Sequence, residues 1–218
     1  MIEIIPTVVP LSLEDVQKVV DADKSFAYVV HIDVADGRFA PNTTWMPNGE
    51  KFTMHEGFVY EAHLMVADPL EIGLKFIKAG AKRVLGHVEA MHDKAAEVLT
   101  AWKQAGASEV GLGILMDTPL AMLDPYISQV DVVQMMTISK IGVQGLPFDD
   151  RAPARVAELH TKYPDLLISV DGSVNEMTIG PLARAGARRF CAGSVLSKSQ
   201  EPASTYHKLI ALAESAVG

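Results

Sequence analysis

The chain has 218 residues, 49% of them hydrophobic and 21% charged, with a formal net charge of −8. That length suits one domain with a large core, and the composition is that of a soluble globular protein. The negative charge argues against a nucleic-acid binder, which would present a basic face, but leaves an anionic substrate open, because backbone N–H groups and helix N-termini hold phosphate without net positive charge.

Short apolar runs alternate with helical patterns from end to end. Strands are predicted at Glu3 to Val8, Ala27 to Asp33, Phe58 to Met65, Arg83 to Val88, Glu109 to Leu115, Val130 to Met136, Leu166 to Asp171 and Arg188 to Ala192. Between the first two lies SLEDVQKVVDAD, with Ser12 as N-cap and Asp15 three residues on, close to a capping box. A weak second helix falls somewhere in Asn48 to Glu56, between Gly49 and Gly57. DPLEIGLKFIKAG and MHDKAAEVLTAWKQAG end at Gly80 and Gly106, as C′ glycines do. DTPLAMLDPYI carries Pro119 just inside its start. RAPARVAELHTKY, VNEMTIGPLARAG and PASTYHKLIALAESAV complete the set. Eight strand–helix alternations in about 220 residues suggest an α/β fold of the (β/α)8 TIM-barrel type. A doubly wound open sheet is the rival; it would show a Gly-rich first turn, and PTVVPLS is not one. No linker or charge block divides the chain, so a single domain over 1–218 is expected.

The one cysteine, Cys191, allows no internal disulfide and reads as a small buried residue rather than a reactive thiol. No apolar run reaches the roughly 18 residues a membrane helix needs, and the N-terminus lacks the pattern of a signal peptide. No membrane partner and a cytoplasmic location are expected.

In barrels, functional residues sit at the carboxyl ends of strands. His31 and Asp33 occupy positions i and i+2 at the end of the second strand, and so share a face. His63 lies on the third strand and Asp171 ends the seventh. Two imidazoles and two carboxylates converging on one mouth make a divalent-metal site for zinc, iron(II), manganese or cobalt. His87 and Glu89 either orient those ligands or fill a polar barrel layer; His55, His92, His160 and His207 read as surface residues.

HIDVADGRFAPN, EAHLMV, HVEA, TPL, ISVDGSV and CAGSVL, in this order along nearly the whole chain, resemble the ribulose-phosphate 3-epimerase family. The resemblance implies a ribulose-phosphate binding barrel. It also implies one divalent metal ion on His31, Asp33, His63 and Asp171, with Asp33 and Asp171 as the acid–base pair. The implied reaction inverts the carbinol carbon beside the ketone of a phosphorylated ketose, D-ribulose 5-phosphate or a close relative, through an enediolate. Thr7, Met65 and Met136 match substrate-contacting positions. Gly172, Gly193 and Ser194 match the family's phosphate grip, Ser173 stands within it, and Gly142 and Gly145 survive from its strand-six loop out of the family's order. A homo-oligomer is the assembly the resemblance implies.

The chain also departs from the family. Ala35 stands where a methionine is usual, Thr7 where a serine is, and Ser173 where a second glycine is. The glycine-rich loop after strand six is replaced by Ser139 to Gly145, whose Lys140 reads as a solvated side chain or as added charge for the phosphate. That loop motivates a second reading, a sugar-phosphate binding protein that has lost catalysis. A third, a barrel decarboxylase or aldolase, lacks support: Asp33-Val34-Ala35-Asp36 has no lysine where the decarboxylase signature Asp-x-Lys-x-x-Asp needs one, and no lysine lies in a predicted strand core.

Overall fold

The computed structural model describes residues 1–142 and 145–218. Eight parallel strands close into a barrel in sequence order: β1 Glu3–Val8, β2 Val29–Ala35, β3 Val59–Met65, β4 Arg83–His87, β5 Glu109–Ile114, β6 Val132–Met136, β7 Leu167–Asp171 and β8 Arg189–Ala192, with β8 pairing back onto β1. The strands are buried on both faces, which is why they read as apolar runs and not as strict alternations.

The helices α1 Leu13–Asp23, α2 Pro69–Ala79, α3 Val88–Met91, α4 Ala95–Gln104, α5 Ala152–Lys162, α6 Ile179–Ala185, α7 Ser194–Ser197 and α8 Pro202–Val217 lie between and after the strands. The capping box of α1 forms: Asp15 N–H donates to Ser12 Oγ at 3.2 Å, and Ser12 N–H donates to Asp15 Oδ2 at 2.9 Å. Gly73 lets α2 lie directly against Trp102 of α4, where a Cβ would come within 2.3 Å of the indole.

Three predicted helices differ. Residues 48–56 form no helix; Gly49 and Gly57 take φ of 106° and 72°, and the segment is held by Phe52 stacking on Tyr60, ring centroids 4.3 Å apart. DTPLAMLDPYI forms two 3-10 turns, Leu120–Leu123 and Ile127–Gln129, because Pro125 breaks the run and Pro119 stays extended before it. MHDKAAEVLTAWKQAG becomes α4 only from Ala95; His92, at φ 48°, separates it from α3.

The barrel floor is a cluster of ion pairs. Arg189, 3% exposed, donates from Nε to Glu3 at 2.6 Å and from Nη2 to Glu109 at 3.0 Å, and its Nη1 reaches Glu61 at 3.4 Å. Arg83 donates to Glu3 at 3.0 Å. Register places these residues beside one another: Glu3 opposite Arg189, Arg83 opposite both Glu61 and Glu109.

Candidate active site

The carboxyl ends of β2, β3 and β7 bring His31, Asp33, His63 and Asp171 together. Each offers one ligand atom, and all four atoms lie within 4.8 Å of one another. Register accounts for it: Asp33 pairs with His63 across β2 and β3. His63 Nδ1 is 3.0 Å from Asp33 Oδ1 and 3.5 Å from Asp171 Oδ2.

Buried groups behind the set orient it. Glu61 Oε1 lies 2.6 Å from His31 Nδ1. With Nδ1–H donating to that carboxylate, Nε2 is the nitrogen that faces Asp33, 3.5 Å away. Nε2 is buried without a hydrogen-bond partner, an expensive state unless a cation takes the lone pair. The donor set also suits a first-row divalent cation, so the residues fit a metal. On the other side, His63 Nε2 lies 2.9 Å from His87 Nε2, and His87 Nδ1 is 3.3 Å from Glu89 Oε2. Both groups are therefore hydrogen-bonded in series behind His63.

Burial works against charge on both aspartates. At Asp33, the adjacent imidazoles of His31 and His63 outweigh it and hold the carboxyl well below the usual range. At Asp171, burial and the Asp33 charge push the pKa up to about 6.

A cleft opens above the set, with Asp33 and Asp171 in its wall. Thr7, Met65, Met136, Gly142, Gly145, Gly172, Ser173, Gly193 and Ser194, all expected at the site, line it as well. Gly193 is there because β8 must leave room for Thr7; a Cβ would meet Thr7 Oγ1 at 2.5 Å. Gly172 takes φ 112° and Ser173 φ 52°, and Ser173 Oγ donates to the Leu146 carbonyl at 2.5 Å, joining the loops after β7 and β6. Ala35 packs with Ala40, Met65, Met136 and Ile141 at the mouth. Among the described residues no Lys or Arg lines the cleft; Lys140 is exposed, as a solvated loop lysine would be. Val143 and Gln144 of the altered loop lie outside the described residues.

Asp36, next to the site in sequence, is a loop fastener: it accepts from Arg38, Phe39 and Ala67 N–H. Cys191 is buried, with its thiol pushed up to about 12 by burial, so it stays protonated. His92 and His207 are exposed as expected, but His55 and His160 are half-buried: His55 meets Gln17 Nε2 at 3.3 Å, and His160 packs over Gly186. The sequence reading missed Glu61, whose only signal is an acidic residue two before His63 on the same strand face.

A closed parallel barrel with buried imidazoles and carboxylates gathered at the carboxyl ends of its strands has the architecture of the TIM-barrel enzymes. The ribulose-phosphate 3 epimerase family profile matches residues 3–197. The chain is 32% identical over 178 residues to ribulose-phosphate 3-epimerase of Schizosaccharomyces pombe, covering 79% of this chain and 76% of that one. It is 32% identical over 205 residues to the Rhodobacter capsulatus enzyme of the same name, covering 90% and 86%. The chain belongs to the ribulose-phosphate 3-epimerase family and is an epimerase, in the isomerase class. The fold is shared with 3-hexulose-6-phosphate synthase from Salmonella typhimurium, at TM-score 0.64 and 16% identity over 98% of this chain and 99% of that one. No helix among the described residues is long and apolar enough to cross a membrane.

Proposed function

We propose that the protein is a metal-dependent epimerase that inverts the carbinol carbon beside the ketone of a phosphorylated ketose, interconverting D-ribulose 5-phosphate and D-xylulose 5-phosphate or a close relative. The observation that carries this is the pair of carboxylates, Asp33 and Asp171, in the wall of one cleft and within 4.8 Å of two buried imidazoles.

Inversion through a planar enediolate needs a base on one face of the carbon and an acid on the other, since a single group would return the proton to the side it came from. Asp33 and Asp171 fill those roles, one taking the proton from carbon while the other delivers one to the opposite face. A divalent cation held by His31, Asp33, His63 and Asp171 supplies electrostatic stabilisation of the charge that develops on the substrate oxygens. Zinc, iron(II), manganese and cobalt all suit the donor set. Met65 and Met136 close the apolar side of the cleft and keep water from the carbanionic centre. With no cationic side chain in the described lining, the phosphate rests on backbone N–H groups around Gly172, Ser173, Gly193 and Ser194, helped by Gly142 and Gly145.

The same proposal takes 1–218 as one barrel domain working in the cytoplasm as a homo-oligomer. Sedimentation of the purified protein tests assembly. Turnover of ribulose 5-phosphate with added metal tests the reaction; binding without turnover on every ketose phosphate would support the binding-protein reading instead.

A further inference from the structure

The sequence offers a second His-x-carboxylate pair, His87 and Glu89, that acid–base chemistry at the mouth does not use. Both Glu89 oxygens are engaged. Oε1 accepts the Leu115 N–H at 2.8 Å, and Oε2 lies 3.3 Å from His87 Nδ1. A carboxylate only accepts, so His87 carries its proton on Nδ1. The other His87 nitrogen lies 2.9 Å from His63 Nε2. Two ring nitrogens at that distance share one proton. Neutral His87, already protonated on Nδ1, must be the acceptor, so His63 is protonated on Nε2. His63 Nδ1, beside Asp33 and Asp171, is then the ring nitrogen left to face the metal site.

The ring of His87 is held for this task. It is fully buried and lies opposite Gly113 in the β4–β5 register, where a Cβ would come within 3.1 Å of the imidazole. Phe39 covers it, ring centroids 5.2 Å apart.

We infer that His87 and Glu89 are positioning residues: the chain from Leu115 N–H through Glu89 and His87 fixes the His63 tautomer that turns its Nδ1 lone pair toward the barrel mouth. The inference rests on the reading of His63 as a metal ligand. It separates the pair from a merely structural filler, because it depends on which atoms carry protons and not on the volume they occupy.

Glu89→Gln shows the difference. The amide has one oxygen for two donors. If that oxygen keeps the Leu115 N–H, the NH2 faces His87 Nδ1. His87 must then accept at Nδ1 and donate from Nε2, and the His63 proton moves to Nδ1, where it blocks the metal. The shape is unchanged, yet the ligand is lost.

The test uses the full chain and zinc. Affinity is measured by competition with a chromogenic chelator for wild type, Glu89→Gln, His87→Leu and His87→Gln, with thermal melting to confirm that each is folded. Long-range 1H–15N spectra of the zinc-loaded wild type assign the ring protons. The expected result is His63 bound through Nδ1 with a proton on Nε2, and zinc affinity weakened about 10- to 100-fold in Glu89→Gln and His87→Leu. His87→Gln, whose amide oxygen can take the place of Nε2 as acceptor, retains most of the affinity. Zinc bound by wild type through His63 Nε2, or unchanged affinity in both Glu89→Gln and His87→Leu, overturns the inference alone. A wild type that binds no zinc overturns the metal reading and this inference with it. The wild-type spectrum needs no variant to fold.

Discussion

Asp33 and Asp171 stand on strands separated by β8 and β1 around the barrel, yet each places a carboxylate oxygen within 4.8 Å of the other's. Burial disfavours charge on both, and only Asp33 has enough imidazole contact to overcome it. The two carboxyl groups are thus chemically distinct in one cleft, as an acid and a base must be.

Asp33→Asn and Asp171→Asn each remove one proton carrier and leave side-chain volume intact. Each is expected to lower kcat by about 10²- to 10⁴-fold, the usual range for a general acid or base. Solvent deuterium incorporation into the ketose reads the loss; a variant that exchanges at the wild-type rate would exclude that residue from proton transfer.

Glu61 ties the site to the floor of the barrel, since it meets His31 at 2.6 Å and Arg189 at 3.4 Å while fully buried. Glu61→Ala leaves a buried cation short of a partner and is expected to destabilise the protein by about 3–5 kcal/mol. Urea unfolding measures this; a fall below about 0.5 kcal/mol, the scale of an ordinary surface change, would mean that Glu3 and Glu109 already neutralise the floor.

Gly193→Ala places a methyl 2.5 Å from Thr7 Oγ1 at the cleft wall. The strand pairing is untouched, so the fold should survive while substrate seating suffers. KM for the sugar phosphate should rise well beyond any change in melting temperature. Wild-type KM would remove this wall from the substrate site.

Asp23, half-buried at the last turn of α1, has its pKa raised to about 6 by burial. The folded state therefore binds this proton more tightly than the unfolded chain, whose carboxyl titrates near the ordinary value. Stability falls as pH rises between those two pKa values, and the penalty is fully present above the folded one. Asp23→Asn should stabilise by about 1 kcal/mol at pH 8, once solvent screening is allowed for, and do nothing near pH 3. Thermal melts at the two pH values check it; a pH-independent effect would contradict the assignment.

Much of this was legible in the chain. The eight strands follow from apolar runs because a parallel sheet hides both faces, and His31 with Asp33 follows from the two-residue repeat. The helix expected in residues 48–56 fails because the glycines at 49 and 57 take left-handed backbone and one aromatic, Phe52, does the packing. The charged floor was hidden for a different reason. Glu61 and Arg189 are 128 positions apart and meet only when the barrel closes, so a local reading sees two ordinary surface charges. The sequence left His87 and Glu89 open between orienting the ligands and filling a polar layer, because the choice turns on a backbone N–H that only the loop after β5 brings to Glu89.

The most direct measurement is proton exchange on D-ribulose 5-phosphate in deuterated water, followed by NMR, with metal-stripped protein before and after addition of zinc, manganese, iron(II) or cobalt. The account predicts that D-xylulose 5-phosphate appears with one deuterium at the carbon beside the ketone, only when metal is present, and that Asp33→Asn and Asp171→Asn slow its appearance by about 10²- to 10⁴-fold. Absence of both epimer and deuterium with every metal, on ribulose 5-phosphate and related ketose phosphates alike, would contradict it.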